Sequence, residues 1–201
     1  MTFLKHIVLI PAVILFLSPP ACAGRVGVVY MSAIANPEWP VHVELFGASG
    51  TGAATGFRQY GWEPSEVTGF GDSILSAPDR INREGVVEIT AWWVEIVTGR
   101  SFEASMTIDL DRFSRRRTSQ IAIDIIGAFG KNGEFLIYTP INNADGRRIG
   151  VDELARLCGQ RTPNEDARLA DMVRWGRDRI TRTRHPNPQG NVATTCPDPG
   201  F

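Results

Sequence analysis

The stretch Val86–Leu110, VVEITAWWVEIVTGRSFEASMTIDL, decides how this chain folds. Its second half alternates strictly: Phe102, Ala104, Met106, Ile108 and Leu110 are apolar, while Ser101, Glu103, Ser105, Thr107 and Asp109 are polar. A period of two belongs to a strand with one buried and one wet face. In the first half, Val87, Ile89 and Ala91 share a phase, whereas Val94 and Ile96 take the opposite one. A one-residue bulge at Trp92–Trp93 restores the phase and leaves Glu88, Thr90 and Glu95 outward. Thr98-Gly99-Arg100 supplies the turn, Gly99 being free to take positive φ. The stretch therefore reads as a long β-hairpin. Ordering each residue costs about 1–2 kcal/mol of backbone entropy, so a lone hairpin is marginal and other strands must cover its apolar face.

Those strands are legible on both sides. Val26–Ile34 and Val41–Leu45 flank the breaker-rich Asn36-Pro37-Glu38-Trp39-Pro40. Gln120–Ile126 places Ile121, Ile123 and Ile125 on one face, Asn132-Gly133 marks a turn, and Phe135–Tyr138 returns as far as Pro140, making a second hairpin. This second hairpin is the expected partner of the first. Residues 47–85 read as long loops with one or two short strands such as Phe57–Trp62, and Asp79 with Arg80 as a local turn or ion pair. Leu110–Phe113 reads as a helical turn, and Arg115-Arg116-Arg117 as a solvated basic loop. Val151–Leu157 has the spacing of a short helix ended by Gly159. Thr162-Pro163-Asn164-Glu165 reads as a capping box with proline at the first helical position. Leu169, Met172, Val173 and Ile180 follow near helical spacing, with Trp175 off that stripe, as in a surface helix docked on the domain. The fold class is mainly β, an antiparallel sheet or sandwich built on two hairpins, with a C-terminal helical segment and α+β overall. The expected organisation is a signal peptide over 1–23, an antiparallel β domain over 24–160, a helix over 161–184 and a flexible tail over 185–201.

The N-terminus carries an export address. Lys5 is basic, Ile7–Leu17 is apolar, Ser18-Pro19-Pro20 breaks the run, and Ala21-Cys22-Ala23 is an A-x-A cleavage pattern. The apolar run is too short for a stable membrane anchor. Cys22 is a candidate lipidation site, so a soluble periplasmic product and a lipoprotein both stay open; either is exported. Losing or lipidating Cys22 leaves Cys158 and Cys196 as an even pair in an oxidising compartment, and a disulfide between them is expected.

Charge and chemistry narrow the function. Residues 1–110 hold 6 Lys/Arg against 11 Asp/Glu, and residues 111–201 hold 15 against 11, too mild a basic excess for a nucleic-acid partner. Gly47-Ala48-Ser49-Gly50-Thr51-Gly52-Ala53 tempts as a phosphate loop, but no helical period follows and no Gly-Lys-Ser/Thr is present. His42 and His185 are the histidines beyond the signal segment, and no G-x-S-x-G elbow presents a serine. Two scattered histidines do not suggest a metal site. The sequence therefore offers no catalytic, cofactor or metal residues.

The chain resembles a group of bacterial envelope lipoproteins, domain-of-unknown-function family 2931. The matching pieces are Asn36-Pro37-Glu38-Trp39-Pro40-Val41-His42-Val43, Pro78-Asp79-Arg80-Ile81, Arg100-Ser101-Phe102, and Ile125-Ile126-Gly127 before Gly130–Tyr138. Pro19 sits where such lipidation signals usually carry leucine, and the Arg-rich helix and tail lie outside the likeness. The resemblance implies an exported β-rich domain, periplasmic or membrane-anchored in a Gram-negative bacterium, and transfers no catalytic residue.

The expected function is an exported, non-catalytic binding or structural module of the envelope. Its partner would be another envelope protein or a secreted effector, with the membrane reached only through a lipid anchor. An immunity protein blocking a secreted antibacterial effector is the alternative, and an envelope hydrolase a weaker one. The candidate contact residues are Trp92, Trp93, Glu88 and Glu95. Either one tryptophan joins the core while the other stands beside these acids and Glu103, or both pack, one of them under the C-terminal helix or the 47–85 segment.

Overall fold

The computed structural model describes residues 24–36, 38–53, 56–58, 73–117, 119–183 and 192–200. The strands are β1 (Val26–Ala35), β2 (Val41–Ala48), β3 (Thr51–Ala53), β4 (Gly56–Arg58), β5 (Ser73–Ser76), β6 (Val86–Glu95), β7 (Ser101–Asp109), β8 (Arg115–Arg117), β9 (Ile121–Phe129), β10 (Glu134–Asn142), β11 (Arg148–Cys158) and β12 (Gln160–Arg161). Among the described residues two α-helices join them, α1 (Asp79–Glu84) and α2 (Pro163–Thr183), with 3-10 turns at Leu110–Arg112 and Lys131–Gly133. The chain is mainly β with a C-terminal helix, as its periodicity requires.

The strands form two six-stranded sheets. The first runs β11-β10-β9-β1-β5 with β8 also on β9; the second runs β12-β7-β6-β2-β3 with β4 also on β2. The two expected hairpins form, but β9–β10 lies in the sheet opposite β6–β7 rather than beside it. Among the described residues one pairing is parallel, β1 on β9 from Val26↔Ile121 to Ala35↔Phe129. The core between the sheets takes Val29 and Met31 from β1, Val41 and Phe46 from β2, Ile89 and Trp93 from β6, Phe102 from β7, Ile123 and Phe129 from β9, and Phe135 from β10. Phe46 meets Phe129 and Phe135 edge-on, each with ring centroids 6.1 Å apart.

The β6–β7 ladder is unbroken from Val86↔Asp109 to Val94↔Ser101, so the bulge expected at Trp92–Trp93 is absent. The irregularity lies across the sheet, in β2 between Val43 and Leu45. Val94 breaks the apolar phase for another reason: it is buried on the outer face with Leu169 and Val173 of α2. A second correction concerns Val151–Leu157, which belongs to β11 rather than a helix. Its register on β10 shifts between Ile137↔Ala155 and Tyr138↔Glu153, leaving Leu154 as an extra residue, buried in the core. That bulge puts apolar side chains three apart and imitates a helix.

Two local readings also change. Asp79 bonds Arg25 just before β1, and Arg80 pairs with Glu84 one helical turn on and with Glu88 of β6, rather than Asp79 and Arg80 with each other. Arg115-Arg116-Arg117 is β8, where Arg115 reaches Asp111 and Arg116 both bonds Asp124 and lies 4.4 Å over the Tyr30 ring. Burial pushes the Asp124 carboxyl above its ordinary range despite Arg116 and Arg148 nearby.

Cys158 and Cys196 form a disulfide across a separation of 38 residues. Around it Thr195 bonds Glu134, Thr194 bonds the Lys131 carbonyl, Asn132 bonds the Cys196 carbonyl, and Asp198 accepts from Arg100. Residues 192–200 are therefore strapped along β10, β11 and the turn at 131–133. Closing that loop contributes roughly 3–4 kcal/mol by chain entropy. Reduction, or Cys158→Ser with Cys196→Ser, is expected to lower the thermal midpoint by about 10 °C or more. A scan with and without reductant measures this; an unchanged midpoint would mean the hydrogen bonds alone hold the strap. Among the described residues no helix is long and apolar enough to cross a membrane.

Candidate partner-binding face

Helix α2 covers one end of the second sheet's outer face, and the docking is specific. Leu169, Val173 and Ile180 are buried, and Gly176 sits so close that an added Cβ would lie 2.7 Å from Ile96 Cδ1. Arg177 donates to the carbonyls of Ile96 and Val97, both at 2.9 Å. The helix start departs from the expected capping box, since the Thr162 hydroxyl is buried without a hydrogen-bond partner. Asp166 anchors this end instead, accepting from the Ser101 N–H at 2.8 Å and twice from Arg161, at 2.9 and 2.7 Å. Burial acts to raise the Asp166 carboxyl, but the hydrogen bonds from Arg161 and Ser101 outweigh it and hold the pKa below its ordinary value.

Trp92 lies where the helix ends its cover. It is half-buried against Val94, Leu169 and Val173, and the Arg168 guanidinium lies 4.3 Å from its ring centre. Arg168 also pairs with Glu165 and with Glu44. Beyond it a groove of about 620 Å³ is floored by Leu45, Thr90 and Trp92 and bounded by Glu103, Ser105, Leu157, Cys158 and Gln160. Leu45 is 37% exposed, a large apolar side chain left open in the groove floor.

The candidate contact residues separate in space. Trp93 is fully buried between the sheets, stacked on Phe102 with centroids 5.7 Å apart, and is not a surface contact. Both tryptophans pack, Trp93 in the core and Trp92 under α2; only Trp92 also reaches the groove. Glu95 was expected outward but is 0% exposed. Its carboxylate accepts from the Gly133 N–H at 3.0 Å and from the Thr98 hydroxyl at 2.6 Å, with Arg100 Nε at 3.6 Å. The hairpin turn and the 131–133 turn fold over this carboxylate and remove it from solvent. Glu88 is on the outer face, occupied by Arg80 at 3.0 Å. Cys22 lies outside the described residues.

Among the described residues no histidine meets a serine or a metal-ligand set. His42 Nε2 stands 3.1 Å from Glu44, and His42 Nδ1 is buried without a partner. The nearest serine in register is Ser101, but Val94 stands between, since His42 pairs with Val94 and Val94 with Ser101. Among the described residues no group of His, Cys, Asp or Glu is arranged to hold a metal ion. Sequence reasoning missed Leu45, Ser105 and Gln160 as groove residues. The alternation begun at Val41 places Leu45 inward with Val43, and only the irregularity between Val43 and Leu45 turns it to the outer face. Compared with known proteins, the chain matches no family model, no curated protein and no solved structure.

Proposed function

We propose that the chain is an exported, non-catalytic binding module of the bacterial envelope, periplasmic or anchored through Cys22, that holds a protein partner on the outer face of its second sheet. The observation that carries this reading is the groove beside α2, where Leu45 is open and Trp92 is held by packing. Exposed apolar and aromatic groups at a rigid, polar-rimmed concavity suit the centre of a protein interface. The disulfide supports export, because such bonds persist in oxidising compartments. The signal-like 1–23 segment and the resemblance to family 2931 point to the same address.

Immunity to a secreted effector is the second reading, favoured by the exposed acids Glu103 and Asp109 on this sheet. An effector encoded beside this gene, and protection of cells from it, would select that reading; failure to protect would remove it. The binding face itself is tested with Leu45→Asp and Trp92→Ala. Both are expected to weaken a cross-linked and then purified partner by tenfold or more. Leu45→Asp should leave the thermal midpoint within about 2 °C, as surface substitutions do. Trp92→Ala should cost roughly 1–3 kcal/mol for the packing lost against α2. A partner bound equally by wild type and Leu45→Asp would sink the face.

A further inference from the structure

Strand β7 has an open edge, and the register shows which backbone groups line it. At its start, the Ser101 N–H goes to Asp166 and its carbonyl accepts from Thr162 at 3.0 Å, both away from β6. At its end, the Leu110 N–H goes to the Gly85 carbonyl at 2.9 Å, toward the β6 side. In an antiparallel ladder these directions alternate residue by residue. Glu103, Ser105, Thr107 and Asp109 therefore point their N–H and C=O groups away from β6. Strand β12 covers only the first of them, pairing Gln160 with Glu103 and Arg161 with Phe102 before the chain turns into α2. Among the described residues no other strand is hydrogen-bonded to this edge, although Leu157 and Cys158 at the end of β11 pass near Ser105, so the backbone groups of Ser105, Thr107 and Asp109 face outward without a strand partner.

Proteins normally blunt such an edge with lysine, proline, a bulge or a covering element. Here the edge carries two exposed carboxylates, Glu103 and Asp109, neither in an ion pair among the described residues, and opens at Ser105 into the groove over Trp92. The geometry points to β7 as an acceptor for an extended, basic segment of a partner protein, which adds a strand in line with β12 and sets a side chain into the groove. Main-chain hydrogen bonds supply the affinity, and the groove with its flanking acids supplies the selection. A second copy of this chain is a poor occupant. Antiparallel pairing of two β7 strands about Met106 sets Glu103 opposite Asp109 at both ends, and like charges directly opposite are destabilising. This assignment rests on the binding-face reading above and specifies its partner.

The test uses the disulfide-bonded protein and a synthetic peptide, acetyl-Lys-Val-Thr-Val-Thr-Val-Lys-amide, titrated by calorimetry and followed by amide hydrogen exchange. The peptide is expected to bind at least tenfold more tightly than its Glu-ended counterpart. Exchange at Ser105 and Thr107 should slow at least tenfold, with the exchange of Ala104 and Met106 unchanged. Thr107→Pro removes an edge donor without touching the β6 ladder, a position where strand proline is tolerated; it should weaken the peptide at least tenfold. Should that variant unfold, Glu103→Lys with Asp109→Lys serves instead and should reverse the preference between the two peptides. Equal binding of both peptides, unchanged exchange at Ser105 and Thr107, or full binding by a folded Thr107→Pro would each overturn the edge. A native partner lost by Leu45→Asp but kept by Thr107→Pro would overturn the edge alone. A native partner indifferent to both would overturn the face itself.

Discussion

Trp93→Ala is expected to be the most damaging single change in the hairpin, lowering stability by about 3–5 kcal/mol, the range for removing a large aromatic from a core. The indole is fully buried and packed on three phenylalanine rings, with centroids at 5.7 Å for Phe102, 5.1 Å for Phe129 and 5.5 Å for Phe135. These rings come from both sheets, so the hole could not close by moving one strand. The crossing from β11 to β12 also rests on this ring: a Cβ at Gly159 would lie 2.5 Å from Trp93 Cη2. Chemical denaturation of the two tryptophan variants makes the comparison. Trp93→Ala should lose much more stability than Trp92→Ala, and equal losses would contradict the assignment of Trp93 to the core.

Glu95→Ala should cost a comparable amount, about 3–5 kcal/mol, because it breaks a buried charge contact from one side. Without the carboxylate, the Gly133 N–H and the Thr98 hydroxyl lose their acceptor, and Arg100, 12% exposed, keeps only Asn132 and Asp198. Relaxation there is limited, since Gly133 adopts φ of 75° and a Cβ on it would lie 2.4 Å from the Phe102 ring. Glu95→Gln should lose less, because an amide oxygen still accepts from Gly133. Hydrogen exchange at Gly133 provides the local readout. Protection that survives Glu95→Ala would mean the turn is held without this carboxylate.

These two residues show how far a local reading reaches. Trp93 and Glu95 share the hairpin with Trp92 and Val94, yet their fates are set by elements distant in sequence. Alternation correctly placed Phe102, Ala104, Met106 and Ile108 on one face, since period two is a property of the strand itself. It failed at Val94, where burial under α2 looked like a slip of register, and a bulge was inferred in the wrong strand. It failed at Glu95 because a carboxylate reads as exposed unless the donors that satisfy it are known, and one of these, Gly133, is 38 residues away. The helical reading of Val151–Leu157 failed because a bulge at Leu154 alters the strand period.

By itself, the sequence determined the two hairpins, the Gly99 turn, the inward set of β7, the amphipathic C-terminal helix and the Cys158–Cys196 pair. All of these follow from spacing along one segment or from the count of thiols. Only the tertiary structure decided that the hairpins face each other across a core, that β1 runs parallel to β9, and that α2 covers Val94 but leaves Leu45 open. It also decided that the chain joins β7 only from Gln160, having come from β11 of the other sheet, so that Ser105, Thr107 and Asp109 keep an open edge. The physical reason is common to all of them. A strand's pattern says that it has a buried face, but the identity of what buries it, and where that cover stops, depends on chain segments whose meeting no local period encodes.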